Sequence, residues 1–314
     1  MPQFNTHTRA SFSDHIIAAY LPKKFLSRLV AELHLQKFGK KASVPAHGGR
    51  TIKWNRFSNL SSSTTAITDG VSPDGIEATS TAVTANASQY GQFVTVSDEL
   101  QLVAVNDTME DMVDALSYTA ALSIDQLIRN ELDANLTQAY ADAASNSSKA
   151  NVESGTDNLT STDLKVNLKT LRAADVPTFE DGLYRGVIHP YMEYGLLTES
   201  SAGTLFIERA QNGSGDSILE KGEIGNAFGI KLMRSSNVRA DSTSTNTYGN
   251  ILVGKDAYGV VDINGMDTKM IVKPHGSSGT EDPLDQRATL GYKFWFVPKV
   301  LEAARGIALW AYGA

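Results

Sequence analysis

The stretch Asp107-Thr-Met-Glu-Asp-Met-Val-Asp-Ala-Leu-Ser-Tyr-Thr-Ala-Ala-Leu-Ser-Ile-Asp-Gln-Leu-Ile-Arg-Asn-Glu-Leu-Asp-Ala-Asn-Leu-Thr-Gln-Ala-Tyr-Ala-Asp-Ala143 decides how the chain is read. Its apolar residues include Met109, Met112, Val113, Leu116, Ala120, Ile124, Leu127, Ile128, Leu132, Leu136 and Ala139. Steps of three and four place them in one stripe along an α-helix. Asp111, Asp114, Ser117, Asp125, Arg129, Asp133 and Gln138 mostly occupy the other side. Asn106 or Asp107 serves as the cap, and Asp107 with Glu110 resembles a capping box. No Pro or Gly intervenes before the Ser/Asn-rich break at 145–148. A helix over 107–143 would span about 55 Å. A round globule of this chain length is only about 50 Å across. The stretch therefore predicts a thin, elongated molecule built along a spine, because sustained heptads with charged flanks are absent.

Bulk composition narrows the function classes. The chain has 314 residues, 41% of them hydrophobic and 20% charged, enough to bury a core in one large domain or two. A net charge of −7 argues against tight binding to phosphate backbones, which needs clustered Lys and Arg. With no cysteine there is neither a disulfide framework nor a thiolate metal site. No N-terminal segment reads as a signal peptide, and no apolar run is long enough to span a membrane.

Upstream of the spine, residues 1–48 read as an arm. Ser13 or Asp14 caps a helix carrying Ile16, Ile17, Leu21, Phe25, Leu26, Leu29, Val30 and Leu33, which Pro22 either kinks or divides into two shorter helices. Lys37, Lys40 and Lys41 beside Gly39 mark a helix end. Gly49-Arg-Thr-Ile-Lys-Trp-Asn-Arg-Phe57 alternates as a strand, with Ile52, Trp54 and Arg56 on one face. A second alternating strand is Tyr90-Gly-Gln-Phe-Val-Thr-Val-Ser97. The Ser/Thr/Ala/Gly-rich segment between them is long for a compact domain, and loops of that length are usually functional or mobile. Pairing of the two strands would make 49–100 a two-stranded projection with a flexible tip. A lone hairpin is marginal in water, so it needs a surface to lie on.

Downstream, Thr160 or Ser161 caps a helix carrying Leu164, Leu168 and Leu171. Strands are predicted at 184–189, 229–233, 251–253, 260–263 and 270–272, with a helix around 191–197. The segment 159–273 thus reads as a compact α+β module. The tail carries two alternating runs, Leu290-Tyr292-Phe294-Phe296 and Ile307-Leu309-Ala311, expected to pair near the spine.

Motifs of catalysis are missing. His7, His15, His34, His47, His189 and His275 show no metal-ligand spacing, and His189, before Pro190 at a strand end, reads as a packing residue. Gly249-Asn-Ile-Leu-Val-Gly-Lys-Asp256 has the spacing of a phosphate loop. However, Asp256 replaces the Ser/Thr that would hold magnesium, and Ile-Leu-Val between the glycines favours a strand. Asp262, Asn264 and Asp267 miss the register of a calcium loop. No catalytic residue, cofactor site or metal site is predicted.

The order of arm, mobile hairpin, spine helix, central α+β module and returning strands resembles the tailed-bacteriophage major capsid protein of the Hong Kong 97 type. Three blocks carry a closer resemblance, to the coat proteins of N-four-like phages. They are Thr68-Asp-Gly-Val-Ser-Pro-Asp-Gly75, Tyr90-Gly-Gln-Phe-Val-Thr-Val-Ser-Asp-Glu-Leu100, and Asp282-Pro-Leu-Asp-Gln-Arg287 followed by Gly291-Tyr-Lys-Phe294. The resemblance implies an α+β fold with an N-terminal arm (1–48), an extended loop (49–100) and a peripheral domain with the spine (101–158). An axial domain (159–273) and a return to peripheral strands (274–314) complete it. It implies a non-enzymatic, self-assembling subunit, arranged as hexamers and pentamers in an icosahedral shell around double-stranded DNA that it does not bind specifically. Portal, separate scaffold and decoration proteins are the implied partners, and the virion, assembled in the bacterial cytoplasm, is the implied location. No lysine lies between Trp54 and Leu100, so cross-linking through a loop lysine does not carry over. Expected inter-subunit contacts are Arg50, Arg56, Asp69, Pro73, Asp74, Tyr90, Asp285 and Arg287. The acidic helix residues Asp111, Asp114, Asp125 and Asp133 are expected to face the shell interior and discourage DNA from sticking. The competing readings are an encapsulin-like nanocompartment and a β-rich adhesin.

Overall fold

The computed structural model describes residues 35–44, 49–57, 60, 62–72, 74–103, 108–142, 146–152, 157–198, 226–241, 246–263, 268–277 and 282–313. The arm helix predicted within 14–33 and its cap lie outside them, as does the cap predicted at Asn106 or Asp107. In chain order the described strands open with β1 (Lys40–Val44), β2 (Thr51–Phe57), β3 (Ser80–Asn86) and β4 (Ser88–Ser97). Helices α1 (Asp98–Val103) and α2 (Thr108–Asn135) follow, then β5 (Thr137–Tyr140), α3 (Ser161–Ala173), β6 (Tyr184–Ile188) and α4 (Pro190–Thr198). The rest is β7 (Asn226–Ala227), β8 (Ile230–Arg234), β9 (Arg239–Ala240), β10 (Thr247–Val253), β11 (Tyr258–Ile263), β12 (Lys269–Lys273), β13 (Arg287–Val300) and β14 (Gly306–Tyr312).

The spine is α2, and its stripe is where the spacing placed it. Val113, Leu116, Ala120, Ile124, Ile128 and Leu132 are buried along one side. The helix has 28 residues, so it extends about 42 Å, shorter than the length predicted from 107–143. It stops at Asn135 because, after Leu136, the four residues of β5 pair in parallel with β14, Thr137 opposite Ile307 through Tyr140 opposite Trp310. Leu136, at the junction, packs where a side chain on Gly306 would sit, 2.8 Å from that position. A ladder inside a buried sheet outweighs the helical preference of a polar terminal turn.

Two sheets flank the spine. A five-stranded sheet has the order β1-β11-β13-β12, with β4 also paired to β13. A seven-stranded sheet runs β5-β14-β10-β6-β8-β7, with β9 beside β10. Leu290, Tyr292, Phe294 and Phe296 of β13 join the α2 stripe in one core, which also takes Ile251, Val253 and Ala308 from the seven-stranded sheet. The helix therefore bridges both sheets. A second core, under α3 and α4, is built from Leu164, Leu168, Leu171, Ile188, Leu196 and Leu309. The helix α3 starts as predicted: Thr160 accepts from the backbone N–H of Asp163, whose carboxylate accepts from that of Thr160.

The strand assignments differ from the predicted segments in two ways. Strand β2 pairs antiparallel with β3, Thr51 opposite Asn86 through Phe57 opposite Ser80, and not with 90–97. Strand β4 instead pairs with β13 along its full length. The Ser/Thr/Ala composition of 80–86 disguised a strand as loop. The sheets also cut across the predicted module at 159–273. Strands β11 and β12 belong with β13, whereas β5 and β14, from outside that segment, complete the seven-stranded sheet. Of the two terminal runs, Leu290–Phe296 of β13 lies against the spine, whereas Ile307, Leu309 and Ala311 of β14 face the second core under α3 and α4.

Three polar residues assigned to the outer face of the helix are buried: Ser117, Asp125 and Asp133. Asp125 accepts from the backbone N–H of Leu35 at 3.3 Å. Tyr258, fully enclosed, donates to the carbonyl of Leu35, and burial and the nearby Asp125 charge hold its phenol far above the ordinary range. Asp133 lies 3.1 Å from Arg239 and 3.7 Å from Lys149. Asp111 alone of the four acids is exposed, with Asp114 half-buried. The continuous acidic face expected toward the interior does not form, because two of its members are used inside the chain. A buried carboxylate requires such partners.

His189 proves to be a packing residue. Its ring stacks flat on Tyr248 at 3.9 Å, and its Nδ1 accepts from the backbone N–H of Tyr191 at 3.3 Å. Burial lowers its pKa below the ordinary value of 6.5. The unfolded chain then takes up a proton before the folded one does. The contribution is complete above about pH 6.5 and is lost as pH falls through the folded value. Urea midpoints of the subunit are expected to fall between pH 7 and pH 5, and His189→Gln is expected to flatten that slope. Identical slopes in the two proteins would remove His189 from the account.

Candidate inter-subunit surface

The hairpin β2–β3 is rooted on the five-stranded sheet by small and aromatic residues. Trp54 lies against Gly259, where an added Cβ would come within 2.8 Å of the indole. Ala87 and Val261 are the buried centre of this contact, with Ile52, Trp295 and Val297 around them. Arg56 reaches Glu302 at 3.1 Å, and Arg305 holds the same carboxylate at 2.6 Å. The predicted face of Ile52, Trp54 and Arg56 is thus the face that docks, and Arg56 is engaged within its own chain. Arg50 is exposed at the root, its carbonyl accepting from the N–H of Ala87 at 2.8 Å.

Beyond the root, the loop between β2 and β3 is largely exposed among the described residues. Phe57 is 70% exposed, Ile67 73% and Val71 61%. Asp69 and Gly70 form a turn closed by the N–H of Val71 donating to the carbonyl of Thr68 at 3.1 Å, with Gly70 at φ +76°. That turn needs a residue at ease with positive φ, which the Asp-Gly pair supplies. Asp69 and Asp74 are exposed, and Pro73 lies outside the described residues.

The remaining expected contacts lie around the five-stranded sheet. Tyr90 on β4 stacks on Phe294 across the strand pair, ring centroids 5.7 Å apart. Arg287 opens β13; its backbone N–H donates to Asp282 at 2.7 Å and its guanidinium lies 3.7 Å from the same carboxylate. Asp285 sits in the preceding turn at φ +54° with its N–H donating to the carbonyl of Asp282. The structure therefore separates the seven described residues into a root (Arg50, Arg56), a loop tip (Asp69, Asp74) and the sheet with the turn before β13 (Tyr90, Asp285, Arg287). Sequence reasoning missed three exposed lysines on the same sheet, Lys269, Lys273 and Lys293. The alternation Lys269-Ile271-Lys273 on a strand was the available signal.

The rejected phosphate loop is a strand and turn: Gly249 is on β10 against the Trp310 indole. Among the described residues no group of three or more His, Asp or Glu could hold a metal ion, and no helix is long and apolar enough to cross a membrane.

A family model described as phage capsid protein matches residues 80–309. The chain belongs to that family. It is a major capsid protein, a structural subunit of a phage head shell. No curated protein matches its sequence significantly. Solved capsids share the fold at low identity. The capsid of Ralstonia phage GP4 matches with a TM-score of 0.68 at 15% identity over 88% of this chain and 87% of that one. The head structure of Helicobacter pylori bacteriophage KHP40 matches at 0.66 and 12% over 87% of each chain. A virus-like particle from Pyrococcus furiosus matches at 0.55 and 11%, over 93% of this capsid protein and 98% of that chain.

Proposed function

We propose that this capsid protein is of the Hong Kong 97 type, within the branch of N-four-like phage coat proteins. Its hairpin would lie across a neighbouring subunit in the icosahedral head of a tailed phage. The loop's exposure carries this reading: large apolar residues stand largely exposed on a rooted two-stranded projection. Such a projection is stable only against a surface. Resemblance at the blocks 90–100, 282–287 and 291–294 adds support, since β4 and β13 set two of them side by side.

In this reading hexamers and pentamers form from one chain, and many modest interfaces sum through closed symmetry. Portal, scaffold and decoration proteins act as separate partners, and the shell encloses double-stranded DNA without reading its sequence. Maturation is a rigid-body rotation of subunits with the hairpin as a hinge. Limited proteolysis tests the loop's position. Cleavage within 58–79 is expected to be rapid in the dissociated subunit and at least about tenfold slower in intact shells, because docking removes the cleavable open state. Equal rates in both states would contradict the docked loop.

A further inference from the structure

The side of the five-stranded sheet turned away from α2 is cationic in a chain whose net charge is −7. Cross-strand register puts Lys269 directly opposite Lys293, Ile271 opposite Gly291, and Lys273 opposite Thr289. On the other side of β13, Gly291 faces Phe93 and Arg287 faces Ser97. Lys269, Lys273, Arg287 and Lys293 thus share one face, and none of the positions on that face of β4, β12 and β13 is a carboxylate. Like charges directly opposite each other weaken a sheet. A Lys–Lys pair kept at such a position points to an anionic partner that relieves it.

The face has an apolar centre as well as charge. Phe93 is 71% exposed and Ile271 38%. They border a trough of about 520 Å³, whose floor is formed at Gly91 and Gly291. Neither glycine accepts a side chain without movement: a Cβ on Gly91 would fall 2.6 Å from the carbonyl of Tyr292, and one on Gly291 3.0 Å from Phe93 Cβ. A phosphodiester would satisfy the lysines and leave the apolar centre uncovered. A peptide carrying both carboxylates and apolar side chains would satisfy both.

The chain itself contains such a peptide. Between Arg56 and Arg129 there is no Lys or Arg. Within this interval the loop presents Ile67, Asp69, Val71, Asp74, Ile76 and Glu77, all exposed. The trough and the loop are open in the same subunit, so the complementary contact is between copies. We infer that the Lys269/Lys273/Lys293 face around Phe93 is the receiving site for the acidic loop tip of a second copy. A loop on one patch and a receiver on another make a heterologous, head-to-tail contact, the kind that generates rings where the rotation closes. The inference rests on the reading of the hairpin as a bridge to a neighbour and adds what it meets.

Charge exchange in the full chain tests it. One protein carries Asp69→Lys, Asp74→Lys and Glu77→Lys; another carries Lys269→Glu, Lys273→Glu and Lys293→Glu; a third carries both sets. Particle yield is read by gradient sedimentation and subunit folding by circular dichroism. Each single set is expected to lower yield at least about tenfold, since facing like charges oppose docking. The combined set restores yield to within about threefold. A combined protein no better than the single sets would overturn the inference, as would normal assembly of the lysine-reversed protein. Normal shells that retain less DNA would overturn it too, assigning the face to the genome. Should the lysine-reversed protein misfold, Lys269→Gln, Lys273→Gln and Lys293→Gln replace it, with the same loss of yield expected and unchanged yield overturning the inference. Deleting the loop separates the two levels. If that deletion blocks assembly and charge exchange has no effect, only the receiving site fails.

Discussion

Replacing residues 58–79 with a two-residue Asn-Gly turn is expected to leave a folded subunit that cannot close shells. The structure motivates those bounds. Strands β2 and β3 pair through Phe57 and Ser80, so an Asn-Gly turn joins them in the geometry that two-residue hairpins favour. The root stays intact, with Trp54 on Gly259 and Arg56 on Glu302. Loop residues such as Ile67 and Val71 contribute little to the isolated fold because they are largely exposed. Unfolding free energy is therefore expected to change by less than about 1 kcal/mol, in line with surface changes away from packed groups. Assembly is another matter. If docking of the loop contributes only about 1.4 kcal/mol per contact, its loss weakens each association tenfold, and a closed shell multiplies that loss over every subunit. Particle yield measured by sedimentation is expected to fall by more than about tenfold. Normal particles from this protein would remove the bridging role of the hairpin.

The second large effect concerns the fold itself. Trp310 is fully buried on β14, its indole lying over Gly249 of β10. Its Nε1 donates to Gln138 at 2.8 Å, and the Lys149 ammonium sits 3.5 Å from the ring centroid. Lys149 in turn lies near Asp133 of the spine, so one side chain joins the seven-stranded sheet to α2. Trp310→Ala leaves a cavity over a glycine that cannot fill it and removes the donor to Gln138 Oε1. The expected loss is about 3–5 kcal/mol by urea denaturation of the dissociated subunit. That is a large fraction of a typical domain's stability. Trp310→Phe keeps most of the volume and loses the N–H, so its loss is expected to be about 1–2 kcal/mol. A loss below 1 kcal/mol for Trp310→Ala would show that the seven-stranded sheet is not anchored to the spine here.

Much of this was legible in the residues, for identifiable reasons. The spine stripe, the capped helix at Ser161 and the alternating run on β13 each have a period longer than any local exception. The end of the spine was not legible. Leu136 and Ala139 continue a helical stripe and also fit a strand, and only the partner β14 decides between them. Strand β3 was hidden because Ser, Thr and Ala carry a weak pattern, and its pairing with β2 is fixed by a long-range register. Burial of Asp125 and Asp133 follows from partners distant in sequence, Leu35, Lys149 and Arg239. For the surface, sequence patterns singled out the loop's Asp69 and Asp74 and the sheet's Arg287 as expected contacts. They did not reveal that Lys269 and Lys293 face one another, because register is a property of paired strands.

Electron microscopy and sedimentation of the purified full-length chain test the central claim most directly. A shell subunit bridged by its own hairpin is expected to form closed icosahedral particles in the megadalton range. A population made only of monomers or trimers, under conditions where the chain is folded, would contradict it.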